Sequence, residues 1–384
     1  MPQIMGEDAS WAVCVEPRNV GKTYSILNDS GILNTEVEIK QISPDLVAIP
    51  ITDVEKAKEL NFSPLQLDLR FRKQLDPHNR LKKIITDYLS EIEAELLLDI
   101  PNTWQKVGDM AIFPRGSFSN GWDELIMRAG EGFWAEVAEA IFVVKIGIGN
   151  YIDSGPMRQS RVQLMCGDDG WVSHKEHGVN YVFDATKVMF SQGNLNERGR
   201  MGRIAKQNAT KDVSRIVGSE TIVDLFNGIG YYSLQYLVHG NIEHLHACEM
   251  NPDSITAFKR GLEKNGVADK CTIHQGNNQR TAPQLTGKAD RVLLGLLPTS
   301  TAAWPLAVNC LKEEGGVIHV HENIEEYEEG AKQKWLEETV EKFNQLAKSI
   351  GRNWQITPQP LQLIKWYAPS VRHVVLDLHF SSTN

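Results

Sequence analysis

From about residue 216 onward the chain alternates short apolar runs with stretches of helical spacing. "TIVDLF" (221–226), "HLHACEM" (244–250), "CTIHQG" (271–276), "DRVLLGLL" (290–297) and "GVIHVHE" (316–322) read as strands. That alternation predicts a parallel sheet with helices on both faces. "LQLIKWYAP" (361–369) and "RHVVLDLHF" (372–380) follow each other across a short turn, with no room for a helix. They predict an antiparallel hairpin at the sheet's edge.

The earlier pattern is different. Residues 1–75 read as a small α/β unit. "WAVCVEP" and "LVAIPI" are strands, and "NVGKTYSILNDSGIL" is a helix. The triplet Gly21-Lys22-Thr23 is not a phosphate loop, because the earlier glycine it requires falls at Glu16. Residues 76–215 form a second unit. "NRLKKIITDYLSEIEAELL" is helical by spacing, "GDMAIFP" is a strand, and "DELIMRAGEGFWAEVAEAIF" is helical with a break at its glycines. "RVQLMC", "WVSHKEHG" and "VNYVFDATKVMF", separated by GDDG and HG turns, predict a β-meander. Residues 216–384 are then the third unit.

Composition narrows the class. The 384 residues are 41% hydrophobic and 23% charged, as expected of a soluble globular chain. No apolar run approaches the ~18–20 residues of a membrane helix. The first ten residues lack the basic-then-apolar pattern of a signal peptide, so the expectation is a cytoplasmic monomer away from membranes. Five scattered cysteines without a CxxC pair argue against a disulfide framework and a zinc knuckle. His174 and His177 have no third ligand nearby, and no metal is expected.

The net charge of −9 argues mildly against a nucleic-acid partner, but it hides a local reversal. Between Lys187 and Arg215 seven basic residues stand against two acids. A charge run is commonly a solvated face. This one precedes the glycine motif described next, which makes Arg200, Arg203 and Lys206 candidate contacts for nucleic-acid phosphates.

"VDLFNGIGYYS" (223–233) follows the first strand of the third unit directly. A turn built on Gly228 and Gly230, flanked by Asp224 and Phe226, lets a ligand approach the backbone. Two glycines alone do not separate a nucleotide from a dinucleotide. Glu249, 25 residues after Asp224, ends the second strand and can accept ribose hydroxyls. The dinucleotide fingerprint wants a third glycine where Ser233 stands. The pattern therefore favours S-adenosyl-L-methionine over a nicotinamide cofactor. Asn277 and Asn278, at the third strand's tip, can read an adenine edge, although Gly-Asn-Asn is also good turn chemistry.

"FSQGNLNER" (190–198), "DLFNGIGYYS", "ACEMNP", "QGNNQ", "DRVLLGLLPTS" and "WYAPSVRHVVLDL" together resemble the tRNA wybutosine-synthesising protein 2 family, a relative of the tRNA guanosine-37 N1-methyltransferases. The resemblance implies a class I S-adenosylmethionine-dependent transferase fold, Rossmann-like, preceded by smaller α/β units. It implies transfer of the 3-amino-3-carboxypropyl group to carbon 7 of 4-demethylwyosine, beside the anticodon of phenylalanine tRNA. It also implies Ser191 and Arg198 as cofactor contacts, with Glu249, Asn277 and Asn278. Two positions separate the branches. The methyltransferase pattern has Arg-Leu where this chain has Gly193-Asn194, and Asn-Leu-Pro where it has Gly295-Leu296-Leu297.

The tip of the fourth strand thus offers a reaction no acid, base or nucleophile. A sulfonium makes all three attached carbons electrophilic, and the carbon that reacts is the one that faces the nucleophile. Such a site works by positioning, with Asn194 and Gly295 as candidates. Two other readings stand beside this one: a guanosine-37 N1-methyltransferase, and a non-catalytic tRNA-binding protein with a vestigial cofactor site.

Overall fold

The computed structural model describes residues 9–35, 37–69, 76–89, 95–119, 121–130, 132–150, 155, 157, 159–210 and 219–383. Two compact units divide at Asp87 and Tyr88. Lys211, Asp212 and Arg215 of the basic stretch lie outside the described residues.

The first unit is an antiparallel sheet of β1 (Ala9–Val15), β2 (Lys40–Ser43), β3 (Leu46–Pro50) and β4 (Pro64–Asp68), in the order β2-β3-β1-β4. Its helices are α1 (Val20–Asp29), α2 (Val54–Glu59) and α3 (Pro77–Tyr88). Alternation along β1 sends Val13 to a core with Leu27 and Ala57 of the helices, and Ala12 to the opposite side with Ala48 and Leu69.

The second unit begins with β5 (Gln105–Val107), β6 (Met110–Phe113), β7 (Lys145–Ile148) and β8 (Gln163–Cys166), paired in that order. Helices α4 (Trp122–Ala129) and α5 (Phe133–Ala140) connect the parallel pair β6 and β7. The break between them falls at Gly130, whose φ of 80° suits glycine. Strands β9 (Trp171–Glu176) and β10 (Val179–Asp184) form a separate hairpin. The expected three-stranded meander is therefore not formed, since β8 pairs with β7 and not with β9. The link between them is pinned to β7 instead. Lys145 donates to both the Asp169 carboxylate and the Trp171 carbonyl, so the segment that leads into β9 is tied to β7.

After α6 (Leu195–Thr210) comes the main sheet, made of β11 (Glu220–Asp224), β12 (Ile242–Glu249), β13 (Cys271–Gln275), β14 (Arg291–Leu294), β15 (Gly315–Glu325), β16 (Trp354–Pro358), β17 (Gln362–Ala368) and β18 (Val371–Ser382). The order is β13-β12-β11-β14-β15-β18-β16, with β17 also on β18. Strands β11 to β15 run parallel, and β18 is antiparallel to all its neighbours. This is the Rossmann-like α/β fold expected of a class I S-adenosylmethionine-dependent transferase. The expected C-terminal hairpin exists, but β18 is interior. Its twelve residues are long enough for β17 to cover the first half and β16 the second.

Helices α7 (Ser233–His239), α8 (Pro252–Asn265), α9 (Asn278–Thr281), α10 (Trp304–Cys310) and α11 (Ala331–Ser349) complete the unit. One face of the sheet packs Ile222, Leu245 and Val375 against α6, α7, α8 and the β9–β10 hairpin. The other packs Val223, Val292 and Leu376 against α10 and α11. Both faces are covered, as a parallel sheet requires. No helix among the described residues is long and apolar enough to cross a membrane.

Candidate functional site

The strand order reverses direction between β11 and β14, so the crevice of an open α/β sheet opens beyond their C-terminal ends. The loop after β11 enters it with Gly228 at φ 56° and Gly230 at φ 86°. A Cβ at Gly230 would stand 2.5 Å from the Phe258 ring, so packing as well as backbone conformation holds this position to glycine. Glu249, at the tip of β12, accepts from Gly228 N at 2.7 Å, Met250 N at 2.8 Å and Asn251 N at 2.7 Å. Three of a carboxylate's roughly four acceptor directions are thereby used, which fixes the side chain and leaves one.

Asp224 lies beneath this loop. It is buried and accepts from Phe226 N at 3.0 Å and Ser233 Oγ at 2.7 Å. Burial raises its pKa to about 7, against the lowering effect of those two bonds and with a contribution from the Glu249 charge. At the tip of β13, Asn277 accepts from Gln279 N and caps α9, while Asn278 donates to the Leu225 carbonyl at 2.9 Å. Asn278 thus ties the third tip to the first. Gly295 follows β14. A Cβ there would stand 3.2 Å from the Tyr232 ring, whose hydroxyl lies 3.4 Å from His321 Nδ1.

The turn at Ser191 to Asn194 is held from two sides. Arg198 NH1 donates to the Ser191 carbonyl at 2.8 Å, and Lys365 Nζ donates to Ser191 Oγ at 3.0 Å. A Cβ at Gly193 would stand 2.7 Å from that amine, so glycine makes room for it. Burial, together with the charge of Arg198, lowers the Lys365 pKa.

Comparison with known proteins now decides the family. The profile of the TRM5/TYW2 methyltransferase domain matches residues 172–354, from the β9–β10 hairpin to β16. The tRNA wybutosine-synthesizing protein 2 homolog of Danio rerio is 39% identical over 317 residues, which cover 75% of this chain and 74% of that one. The chain belongs to the tRNA wybutosine-synthesizing protein 2 family. The tRNA wybutosine-synthesizing protein 2/3/4 of Arabidopsis thaliana is 37% identical over 304 residues, 79% of this chain but 29% of that protein. The chain therefore spans less than a third of this plant relative. Among solved structures, P. horikoshii TYW2 in complex with MeSAdo superposes with a TM-score of 0.60 at 28% identity, covering 78% of this chain and 99% of that one.

In this member of the wybutosine-synthesizing protein 2 family, two of the arginines singled out in the sequence are paired with acids inside the fold. Arg198 is fully buried and forms a bidentate pair with Glu176, at 2.5 and 2.8 Å. Its guanidinium also lies 4.6 Å from the centre of the Phe190 ring. Burial raises the Glu176 carboxyl, but bonds and charges from His174 and Arg198 outweigh it and bring the pKa to about 2. Arg198 therefore serves the Ser191 turn from inside the fold. Arg200, a candidate phosphate contact, is largely buried and committed to acidic partners. It pairs with Glu197 at 2.7 and 2.8 Å and with Asp377 at 2.6 and 3.1 Å. Arg203 and Lys206, on the same helix, are exposed.

Sequence reasoning missed a second group altogether. His319 Nδ1 lies 2.6 Å from Asp377 and its Nε2 lies 2.7 Å from Arg291, which pairs in turn with Glu220. His321 Nδ1 lies 3.2 Å from His373 Nε2. The signal was present in the "HVHEN" alternation, which places His319, His321 and Asn323 on one face of β15. Among the described residues, no group of three or more His, Cys, Asp or Glu is arranged to hold a metal ion.

Proposed function

We propose that the chain transfers the 3-amino-3-carboxypropyl group of S-adenosyl-L-methionine to carbon 7 of 4-demethylwyosine at position 37 of phenylalanine tRNA, releasing 5'-methylthioadenosine. The observation that carries this reading is Gly295, a strand tip without a side chain facing Tyr232, in a chain of the wybutosine-synthesizing protein 2 family. The residues present fit the co-substrate. Glu249 is fixed with one acceptor direction to spare, and the Gly228–Gly230 loop brings backbone close to the crevice.

When bound, the sulfonium supplies an electrophilic carbon. A bond forms from carbon 7 of the base to that carbon, and the carbon–sulfur bond breaks. The electron pair stays on sulfur, which becomes a neutral thioether, and the base loses its carbon-7 proton. The protein positions the two reactants. Ser191 and Asn194 border the arm that is transferred, braced by Arg198 and Lys365. Asn277, Asn278 and Phe226 border the adenosine end. Asp224 shapes the loop from below.

In this reading residues 216–384 are the catalytic domain, 76–215 a middle domain that carries the tRNA-contacting cations Arg203 and Lys206, and 1–75 a small N-terminal domain. The protein works as a cytoplasmic monomer on the anticodon region. Incubation with hypomodified phenylalanine tRNA and S-adenosylmethionine, followed by nucleoside mass analysis, tests this. An aminocarboxypropyl mass increment on the tricyclic base is expected. A methyl increment on guanosine would replace the reading with the methyltransferase one, and no increment on either base would leave a non-catalytic tRNA-binding protein.

A further inference from the structure

Three adjacent strands place one residue each in a single row across the sheet. Asn323 on β15 is the register partner of His373 on β18, which is the register partner of Lys365 on β17. Asn323 and His373 pair in regular register and share a face of the sheet, whereas β17 has a bulge just before Lys365, whose place beside them is shown by its bond to Ser191 Oγ and its charge acting on His373. The row lies at the ligand end of β15, because Asn323 N donates to the carbonyl of Pro298 at 2.8 Å, in the turn that begins at Gly295. Contacts connect it inward as well. His373 meets His321, His321 meets Tyr232, and Tyr232 lies beneath Gly295.

The row is polar, and two of its three residues carry buried atoms without a partner, while Lys365 is half-buried and donates to Ser191 Oγ. Both amide atoms of Asn323 are buried without a hydrogen-bond partner, and so is Nδ1 of His373, a residue with no exposed surface. Asn194 Oδ1, in the turn that Lys365 braces through Ser191, is in the same condition. Folded chains pair nearly all such atoms, so a concentration of unpaired ones calls for a partner from outside the chain, water or ligand. An amide offers a donor and an acceptor side by side, the imidazole adds one further donor or acceptor, and the amine adds a cation. That set complements the edge of a nucleobase that carries a ring carbonyl next to a nitrogen.

We propose that Asn323, His373 and Lys365 bind the hydrogen-bonding edge of the acceptor base, with Gly295 leaving the space through which the transferred carbon reaches it. This rests on the reading that the chain acts on a tRNA base.

The test compares the parent with Asn323→Leu and Lys365→Met. Binding is measured to an anticodon stem-loop that carries the tricyclic base at position 37 and to the same stem-loop abasic there. Methylthioadenosine affinity, Tm and group transfer are recorded alongside. The parent should prefer the base-bearing stem-loop, and each variant should lose that preference about tenfold, while methylthioadenosine affinity stays within about twofold. Asn323→Leu should keep or raise the Tm, because it removes a buried amide with no partner. Retained preference in both variants would overturn the proposal, as would a parent with no preference. Parallel loss of methylthioadenosine binding would assign the row to the cofactor, and a Tm lowered in step with binding would make Asn323 structural. Should Asn323→Leu fail to fold, Lys365→Met, half-buried at the margin of the row, decides the matter. A parent that discriminates the base but transfers nothing would defeat the proposed function and leave the row standing.

Discussion

Ser233 Oγ donates to Asp224 Oδ2 at 2.7 Å, across the glycine turn that separates the end of β11 from α7. The position where a dinucleotide fingerprint has its third glycine is here a brace for a buried carboxylate. Asp224 has no outlet to solvent and its pKa stands at about 7 against an ordinary 3.8, with burial as the main cause. Between those values the folded chain keeps a proton that the unfolded chain has released. Stability therefore falls as pH rises through that window, and the loss is complete above the folded value. Asp224→Asn should remove this fall. Denaturant unfolding at about pH 4.5 and pH 7.5 should show the variant gaining on the parent by more than about 1.4 kcal/mol, the equivalent of one pKa unit. A constant difference between the two proteins would place the titration elsewhere.

The Arg198–Glu176 pair makes a different prediction from a ligand-binding arginine. Removing one partner of a buried pair strands the other, at a cost of about 3–5 kcal/mol. Arg198→Met should therefore lower stability by that amount. Arg198→Met with Glu176→Gln should recover a large part of it, because no buried charge is left unpaired. Unfolding free energies of the two single variants and the double variant give the coupling. If Arg198→Met instead keeps full stability and loses only S-adenosylmethionine affinity, the arginine is a ligand contact after all.

The cations of helix α6 differ in exposure. Arg200 is committed to Glu197 and Asp377, whereas Arg203 and Lys206 are exposed. Replacing Arg203 and Lys206 by Gln should weaken tRNA binding and reduce the slope of log affinity against log salt by about 1–2. Arg200→Gln should cost stability and leave the slope alone. Titrations at several salt concentrations check both, and an unchanged slope in the double variant would make α6 a solvated face.

Gly295→Asn adds a side chain where a Cβ already stands 3.2 Å from the Tyr232 ring. Tyr232 cannot move aside easily, since it is buried and packed on His321 at 4.6 Å between ring centres. A displacement of about an ångström at a reacting atom can cost on the order of a hundredfold in rate. Turnover in Gly295→Asn should fall by at least about tenfold, with S-adenosylmethionine affinity changed by less than about threefold. Calorimetry and single-turnover rates separate the two. Full turnover would show that the residue after β14 does not select the reacting carbon.

Local signals were legible in the sequence and long-range pairings were not. The Gly228–Gly230 turn, Glu249 at a strand tip and the parallel alternation of β11 to β15 all follow from spacing within about thirty residues. Arg198 on α6 meets Glu176 on β9 only through tertiary packing, and Arg200 and Asp377 are 177 residues apart. No periodicity reports such a pair, so a run of positive charge looked like a phosphate surface although two of its arginines are internal. The failed meander has the same origin. The GDDG turn predicted a β8–β9 pairing that does not form, and Lys145, 24 residues before Asp169, instead bonds Asp169 and the Trp171 carbonyl. Lys365 and His373 escaped notice because each is an ordinary residue on an alternating strand, and only the pairing of β17 with β18 brings them side by side.

In the proposed reaction the carbon delivered to the base comes from the methionine arm. Two preparations of S-adenosylmethionine, one labelled in the methyl group and one in the aminocarboxypropyl chain, are incubated with the protein and tRNA bearing 4-demethylwyosine. The second label should enter the tRNA while the first remains in released methylthioadenosine. Entry of the methyl label into tRNA, with S-adenosylhomocysteine as the by-product, would contradict it.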